Sequence, residues 1–242
     1  MQASAFVFAI FEFVLLIFSL SVHECAHAWM ASRLGDQTAR MQGRITLNPM
    51  DHIDPVGSLL FPAIIIFGPF IGFTFFSGLI VGWAKPTPII TRNFRKITRD
   101  DNLTTFAGPA ANLLLVLIGY LVLVVINYAA PDGHAEVMVA FMSAWRGGVL
   151  AMSASSGVQA VALLASLAVM INFSLLFFNL LPIPPLDGSR ILRNVLPYNM
   201  VQAYDRIPIW VSYLLMFFVG GTIVWMFVRP AMVLVYMALN GL

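Results

Sequence analysis

Charge is scarce in this chain. Lysine, arginine, aspartate and glutamate together make up 10% of its 242 residues, where soluble domains carry about a quarter. With 60% of the residues hydrophobic, the composition excludes an ordinary water-soluble domain and fits a polytopic membrane protein. An excess of basic residues is also lacking. The formal net charge is +2, too little for a nucleic-acid footprint, so no nucleic-acid partner is expected. Cysteine is nearly absent. Cys25 stands alone, so no intrachain disulfide can form, and a small packed residue is its plain reading. Histidine is rare too, with four in the chain, and two of those are four residues apart.

Those two belong to Ser21-Val22-His23-Glu24-Cys25-Ala26-His27, near the end of a long apolar run. On a helix, residues four apart lie on one face, one turn above each other. His23 and His27 can therefore offer two imidazoles to one metal ion, with the Glu24 carboxylate beside them as a base for a metal-activated water. The run from about Ala3 to Leu34 exceeds the roughly 20 residues a membrane span needs. It is expected to be retained rather than removed as a signal peptide. The motif then lies below one membrane face. Glu12, the other acid in this run, reads as a residue near the opposite interface.

Further spans are expected at Leu103–Tyr128, Gln159–Leu181 and Pro208–Val228, with Arg229-Pro230 breaking the last before a short tail. Pro109 suits the first turn of its helix. The stretch 129–158 is a mixed loop, able in part to lie in the interface as a helix. Two features break the helical pattern. Met41, Gly43, Ile45 and Leu47 alternate with polar residues, a strand signal over 39–48. Residues 81–90 look extended, with Pro86 and Pro88 removing N–H groups from one edge and leaving the other usable. The apolar stretch 58–83 is interrupted at Gly68-Pro69 and flanked on both sides by basic residues. The positive-inside rule therefore favours a re-entrant segment over a crossing. Asn48-Pro49 and Asp54-Pro55 are turn signals. The expected fold is a polytopic all-α membrane protein: about four transmembrane helices, the re-entrant segment 58–83 and a small membrane-associated β region at 39–48 and 81–90. Residues 1–242 read as one domain, with a core over about 3–188 and a C-terminal membrane helix region at 208–242. On that topology Arg33, Arg40, Arg44, Lys85, Arg92, Arg95, Lys96, Arg99, Arg190, Arg193 and Arg206 are cytoplasmic, and Arg146 and Arg229 are outside.

A catalytic zinc commonly takes three protein ligands and a water. Asp187, after Pro182, Pro184 and Pro185, is the best third candidate. On the residues alone, a ligand and a helix cap remain open for it. Asn112 and Asn179 are amides in apolar helices, suited either to interhelical hydrogen bonds or to donating to a substrate or an oxyanion. His52 reads as a residue holding its loop, with an auxiliary metal or gating role as the alternative.

His-Glu-Cys-Ala-His near the end of a membrane helix, Gly108-Pro109-Ala110-Ala111-Asn112 opening a later one and Asn179-Leu180-Leu181-Pro182-Ile183-Pro184-Pro185-Leu186-Asp187-Gly188 closing another together resemble the site-2 protease family of intramembrane zinc metalloproteases. The stretches 43–57 and 82–89 look like those of its compact members. No stretch resembles the PDZ or CBS domains of larger ones. The resemblance implies one zinc per chain on His23, His27 and Asp187, with Glu24 as catalytic base. It also implies a cytosol-facing site in a multi-pass inner-membrane protein, cutting membrane-spanning substrates within the lipid bilayer. The competing class is a non-hydrolytic membrane protein, an inactive homologue or metal carrier. A carrier would be expected to show repeated halves with a midplane site, and no second half is seen.

Overall fold

The computed structural model describes residues 2–74, 83–146 and 157–241. Four helical stretches are long and apolar enough to cross a membrane: Ala5–Leu34, Ile97–Ala129, Gly157–Asn179 and Ile209–Asn240. The first lies within α1 (Gln2–Leu34). The short α2 (Thr38–Met41) and α3 (Phe61–Phe67) follow it. The second span is α4 (Ile97–Ala129), then α5 (Gly133–Arg146), and the third is α6 (Gly157–Asn179). Two short helices, α7 (Asp187–Val195) and α8 (Tyr198–Asp205), precede α9 (Ile209–Leu215). A π-helical turn at Met216–Gly220 carries α9 into α10 (Gly221–Asn240).

The bundle centre is α6, packed on α4, α5, α1 and α10. Small residues allow this. A Cβ at Gly119 of α4 would stand 3.0 Å from the Ala165 carbonyl of α6, so glycine lets the two backbones close up as membrane helices do without a hydrophobic drive. Asn172 of α6 donates to Ser19 Oγ of α1 at 3.0 Å, a polar tie in an apolar layer. Leu123, Phe141, Leu167, Val169, Val228 and Met232 are fully enclosed. Leu114, Leu117, Leu121 and Val125 of α4 lie exposed, as a lipid-facing stripe requires.

Several expectations change. No strand occurs among the described residues, so the expected β region finds no support there. Over 39–48 the chain makes α2 and then turns, because polar side chains bond locally instead of across a ladder. Thr46 O accepts from the His52 ring at 2.9 Å, and Arg44 donates to Asp51 O. Residues 81–82 of the second expected strand lie outside the described residues, and 83–90 is irregular. The re-entrant segment finds no support: 75–82 lie outside the described residues, and the rest is a π-helical turn at Pro55–Leu60, α3 and a 3₁₀ turn at Gly68–Ile71. Helix α4 starts six residues before Leu103 and holds Pro109 in its interior. The last span runs straight through Arg229-Pro230. Pro230 loses one helical bond, but the enclosed Met232 and Leu239 secure the helix beyond it. The two turn signals behave as read: Asn48 and Asp54 cap short helical turns, Asp54 accepting from the Val56 and Gly57 amides.

One buried carboxylate ties the segment after residue 83 to the end of α1. Asp36, fully enclosed, accepts from Thr38 N–H at 3.1 Å, Ile90 N–H at 2.7 Å and Asn93 Nδ2 at 2.9 Å. Burial raises the Asp36 pKa, but these donors and the Thr38 hydroxyl outweigh it, and the net shift is downward. A lowered native pKa adds stability above the unfolded value near 3.9, lost as pH falls through the native value. Asp36→Asn turns an N–H toward the Ile90 amide and is expected to cost about 1–3 kcal/mol. Thermal midpoints in detergent check this. The gap between wild type and variant should be full at pH 7 and close below pH ~4.

Candidate metal centre

Antiparallel packing of α1 on α4 builds the site. His23 and His27 lie one turn apart on α1. Facing them on α4 are Thr104, Gly108 and Asn112, also spaced by four. The His27 Nδ1–H donates to Thr104 O at 2.8 Å, and the His23 Nδ1–H donates to Asn112 Oδ1 at 2.9 Å. With Nδ1 protonated on both rings, both Nε2 atoms keep their lone pairs for an electrophile. They lie 3.0 Å apart, and both imidazoles are buried.

Asp187 completes the cluster from the third chain region. It is the first residue of α7, whose N-cap is Leu186 with no side-chain capping bond. The carboxylate therefore does not cap its own helix and turns to the histidines instead. Its Oδ2 lies 3.1 Å from His23 Nε2 and 3.3 Å from His27 Nε2. Gly188 is what lets the chain turn here, since a Cβ would stand 2.2 Å from Leu180 O. Arg190 and Asn194, one and two turns into α7, both donate to Asp101 of α4 and fix the helix that presents Asp187.

Two nitrogen lone pairs and a carboxylate oxygen thus meet in one small triangle. A proton on one imidazole relieves a single edge of it. A cation at its centre relieves all three. Ligand atoms about 2.0–2.2 Å from a tetrahedral zinc stand about 3.3–3.6 Å apart, so the triangle fits that ion after a small expansion. His23, His27 and Asp187 are also the set of His, Cys, Asp and Glu found clustered for a metal among the described residues.

A cleft of about 380 Å³ opens beside the triangle, lined among others by Leu20, Glu24, Trp83, Thr87, Asn179 and Tyr213. Glu24 Oε2 accepts from the Thr87 N–H at 3.1 Å and the Thr87 hydroxyl at 2.8 Å. Sequence reasoning passed over Thr87; the signal was its place between Pro86 and Pro88, where it carries the one N–H of the three. The edge of 81–90 expected to stay usable is occupied: Trp83 and Lys85 donate their N–H groups to Gly57 O and His52 O. Asn179 reaches the cleft while donating to Leu175 O of its own helix. Asn112 lies behind His23 rather than in the cleft, with Nδ2 buried and unpartnered. His52 stands apart from the triangle and holds the loop of Thr46.

No solved structure matches the chain. Two relatives are named "Putative zinc metalloprotease": YwhC of Bacillus subtilis and Rip2 of Mycolicibacterium smegmatis. YwhC is 36% identical over 184 residues, covering 76% of this chain and 68% of the relative. Rip2 is 32% identical over 172 residues, covering 71% of this chain and 52% of the relative, so the chain spans about half the length of Rip2. The model of peptidase family M50 matches residues 11–219, from α1 through Asp187 to the last span, and the chain belongs to that family, the site-2 proteases.

Proposed function

We propose that the chain is an intramembrane zinc metalloprotease of the His-Glu-x-x-His type, hydrolysing membrane-spanning proteins near the cytoplasmic face. One zinc per chain would be held by His23 Nε2, His27 Nε2 and Asp187 Oδ2. The observation that carries this reading is the convergence of those three atoms within 3.0–3.3 Å while both Nδ1 atoms are engaged elsewhere. Bound zinc supplies Lewis acidity toward a water and the scissile carbonyl. Glu24 takes the proton of the attacking water on Oε1, the oxygen Thr87 leaves free, and delivers it to the leaving amine. Asn179, in the cleft, is the candidate donor to the substrate backbone or the developing oxyanion, whereas Asn112, behind His23, serves as the acceptor that orients that ring. His52 keeps a structural role, as the partner of Thr46.

A substrate helix hides its peptide bonds within its own hydrogen bonds, so a short piece must unwind to be cut. The apolar walls of the cleft, Leu20, Trp83, Leu175 and Phe178, suit such a piece. The cytoplasmic orientation rests on charge. The basic residues from Arg33 to Arg99 and from Arg190 to Arg206 cluster at the end of the bundle that holds the motif, as the positive-inside rule asks.

The test is purified protein with a model transmembrane substrate. The expected result is about one zinc per chain, cleavage stopped by a chelator and cleavage restored by added zinc. Cleavage that continues in the metal-free protein would overturn the reading.

A further inference from the structure

We infer that Thr87 is a positioning residue for the Glu24 carboxylate. The inference rests on Glu24 being the base, as proposed above, and concerns what orients it. Two donors from one residue, the Thr87 amide at 3.1 Å and the hydroxyl at 2.8 Å, converge on the same oxygen, Oε2. Oε1 takes no bond among the described residues, and Glu24 lines the cleft. A glutamate at a cleft wall can otherwise rotate about its last torsions. Fixing one oxygen sets the carboxylate plane and leaves the other for the reacting water.

Thr87 is itself held from outside. Pro86 and Pro88 lock their own φ and keep Lys85 and Thr87 extended. On one side the Lys85 N–H donates to His52 O at 2.9 Å and the Trp83 N–H to Gly57 O at 3.2 Å. On the other side the Ile90 N–H donates to Asp36 at 2.7 Å. Segment 83–90 is thus pinned on both flanks of Thr87 by groups other than Glu24. This also gives His52 and Asp36 a place in the site: each anchors one side of the strap that aims the base. The hydroxyl is the specific element, because the N–H is common to every residue that could replace threonine except proline.

Thr87→Val keeps the shape, the β-branch and the N–H while deleting the hydroxyl. The expected result is a kcat reduced about tenfold to a hundredfold, a KM unchanged, and zinc per chain at the wild-type level. Thr87→Ser, which restores the hydroxyl, should recover most of kcat. Adding Thr87→Val to the slow Glu24→Asp variant should lower kcat no further, since both act through one carboxylate. A fully active Thr87→Val with an impaired Thr87→Ser would overturn the inference in favour of packing. A loss confined to KM would overturn it in favour of substrate contact. A loss of zinc in Thr87→Val would overturn it in favour of a role in metal retention. Failure of the parent reading is separate, since it would show as normal cleavage by Glu24→Gln.

Discussion

Glu24→Gln is expected to lower cleavage of a transmembrane substrate by about 10²–10⁴-fold while leaving zinc content unchanged. The glutamine has the size of the glutamate, and its amide oxygen can still accept from the Thr87 amide and hydroxyl that now bond Oε2. The strap at 83–90 should stay where it is. Of the three converging atoms, His23 Nε2, His27 Nε2 and Asp187 Oδ2, none is altered. What disappears is the ability to hold a proton between its removal from water and its delivery to the amine. Folding, metal binding and proton transfer are therefore separated in one variant. Glu24→Ala is a poorer test, because it also leaves the Thr87 N–H without its acceptor. The measurement is initial cleavage rate beside zinc per chain. Near-normal cleavage at the wild-type zinc content would show that Glu24 is not the base. An inactive variant that still holds zinc would also serve to trap substrate for crosslinking.

The metal motif was legible because its spacing is local: four residues are one turn of a helix, whatever the rest of the chain does. The spans were legible for a similar reason, since hydropathy needs no tertiary partner. The caps at Asn48 and Asp54 depend only on the residues that follow them. The errors arose where distant contacts decide. Alternation over 39–48 needs a partner strand to mean anything, and the region instead closes on His52 and Asp51. Pro109 and Pro230 usually end or open helices, but packing against other helices carries α4 and α10 through them. Asp187 stood open between ligand and cap on the residues alone, because where its helix starts, which is on Asp187 itself, is not written in the local sequence. Asn112 illustrates the same limit. An amide in an apolar helix announces a polar partner without naming it, and its partner here is a histidine 89 residues away in sequence. Thr87 was silent because its meaning lies wholly in the carboxylate it meets.

Gly108→Ala should abolish zinc retention, and elementary helix energetics predicts the opposite sign for its effect on the helix itself. Gly108 lies in the interior of α4, where alanine is ordinarily favoured by about 0.5–1 kcal/mol. At this position a Cβ would stand 2.4 Å from His27 Nε2 and 2.5 Å from His23 Nε2 and Cε1, far inside van der Waals contact. The imidazoles cannot turn aside without breaking their bonds to Thr104 and Asn112, which lie one turn to either side of Gly108 on the same face. Helix α4 cannot back away without opening its packing on α1 and α6. The methyl therefore enters the space where the two nitrogens converge with Asp187, and the triangle is the part that must give. The expected protein keeps its helical content by circular dichroism, while its metal-free thermal midpoint falls below that of wild type, because the lost buried bonds of the displaced imidazoles outweigh the gain in helix propensity. It binds less than about a tenth of a zinc per chain under conditions that load wild type, so added zinc no longer raises its midpoint. Stoichiometric zinc in Gly108→Ala would mean that α1 and α4 are not in this register at the histidines, and both the triangle and the proposed ligand set would fall with it.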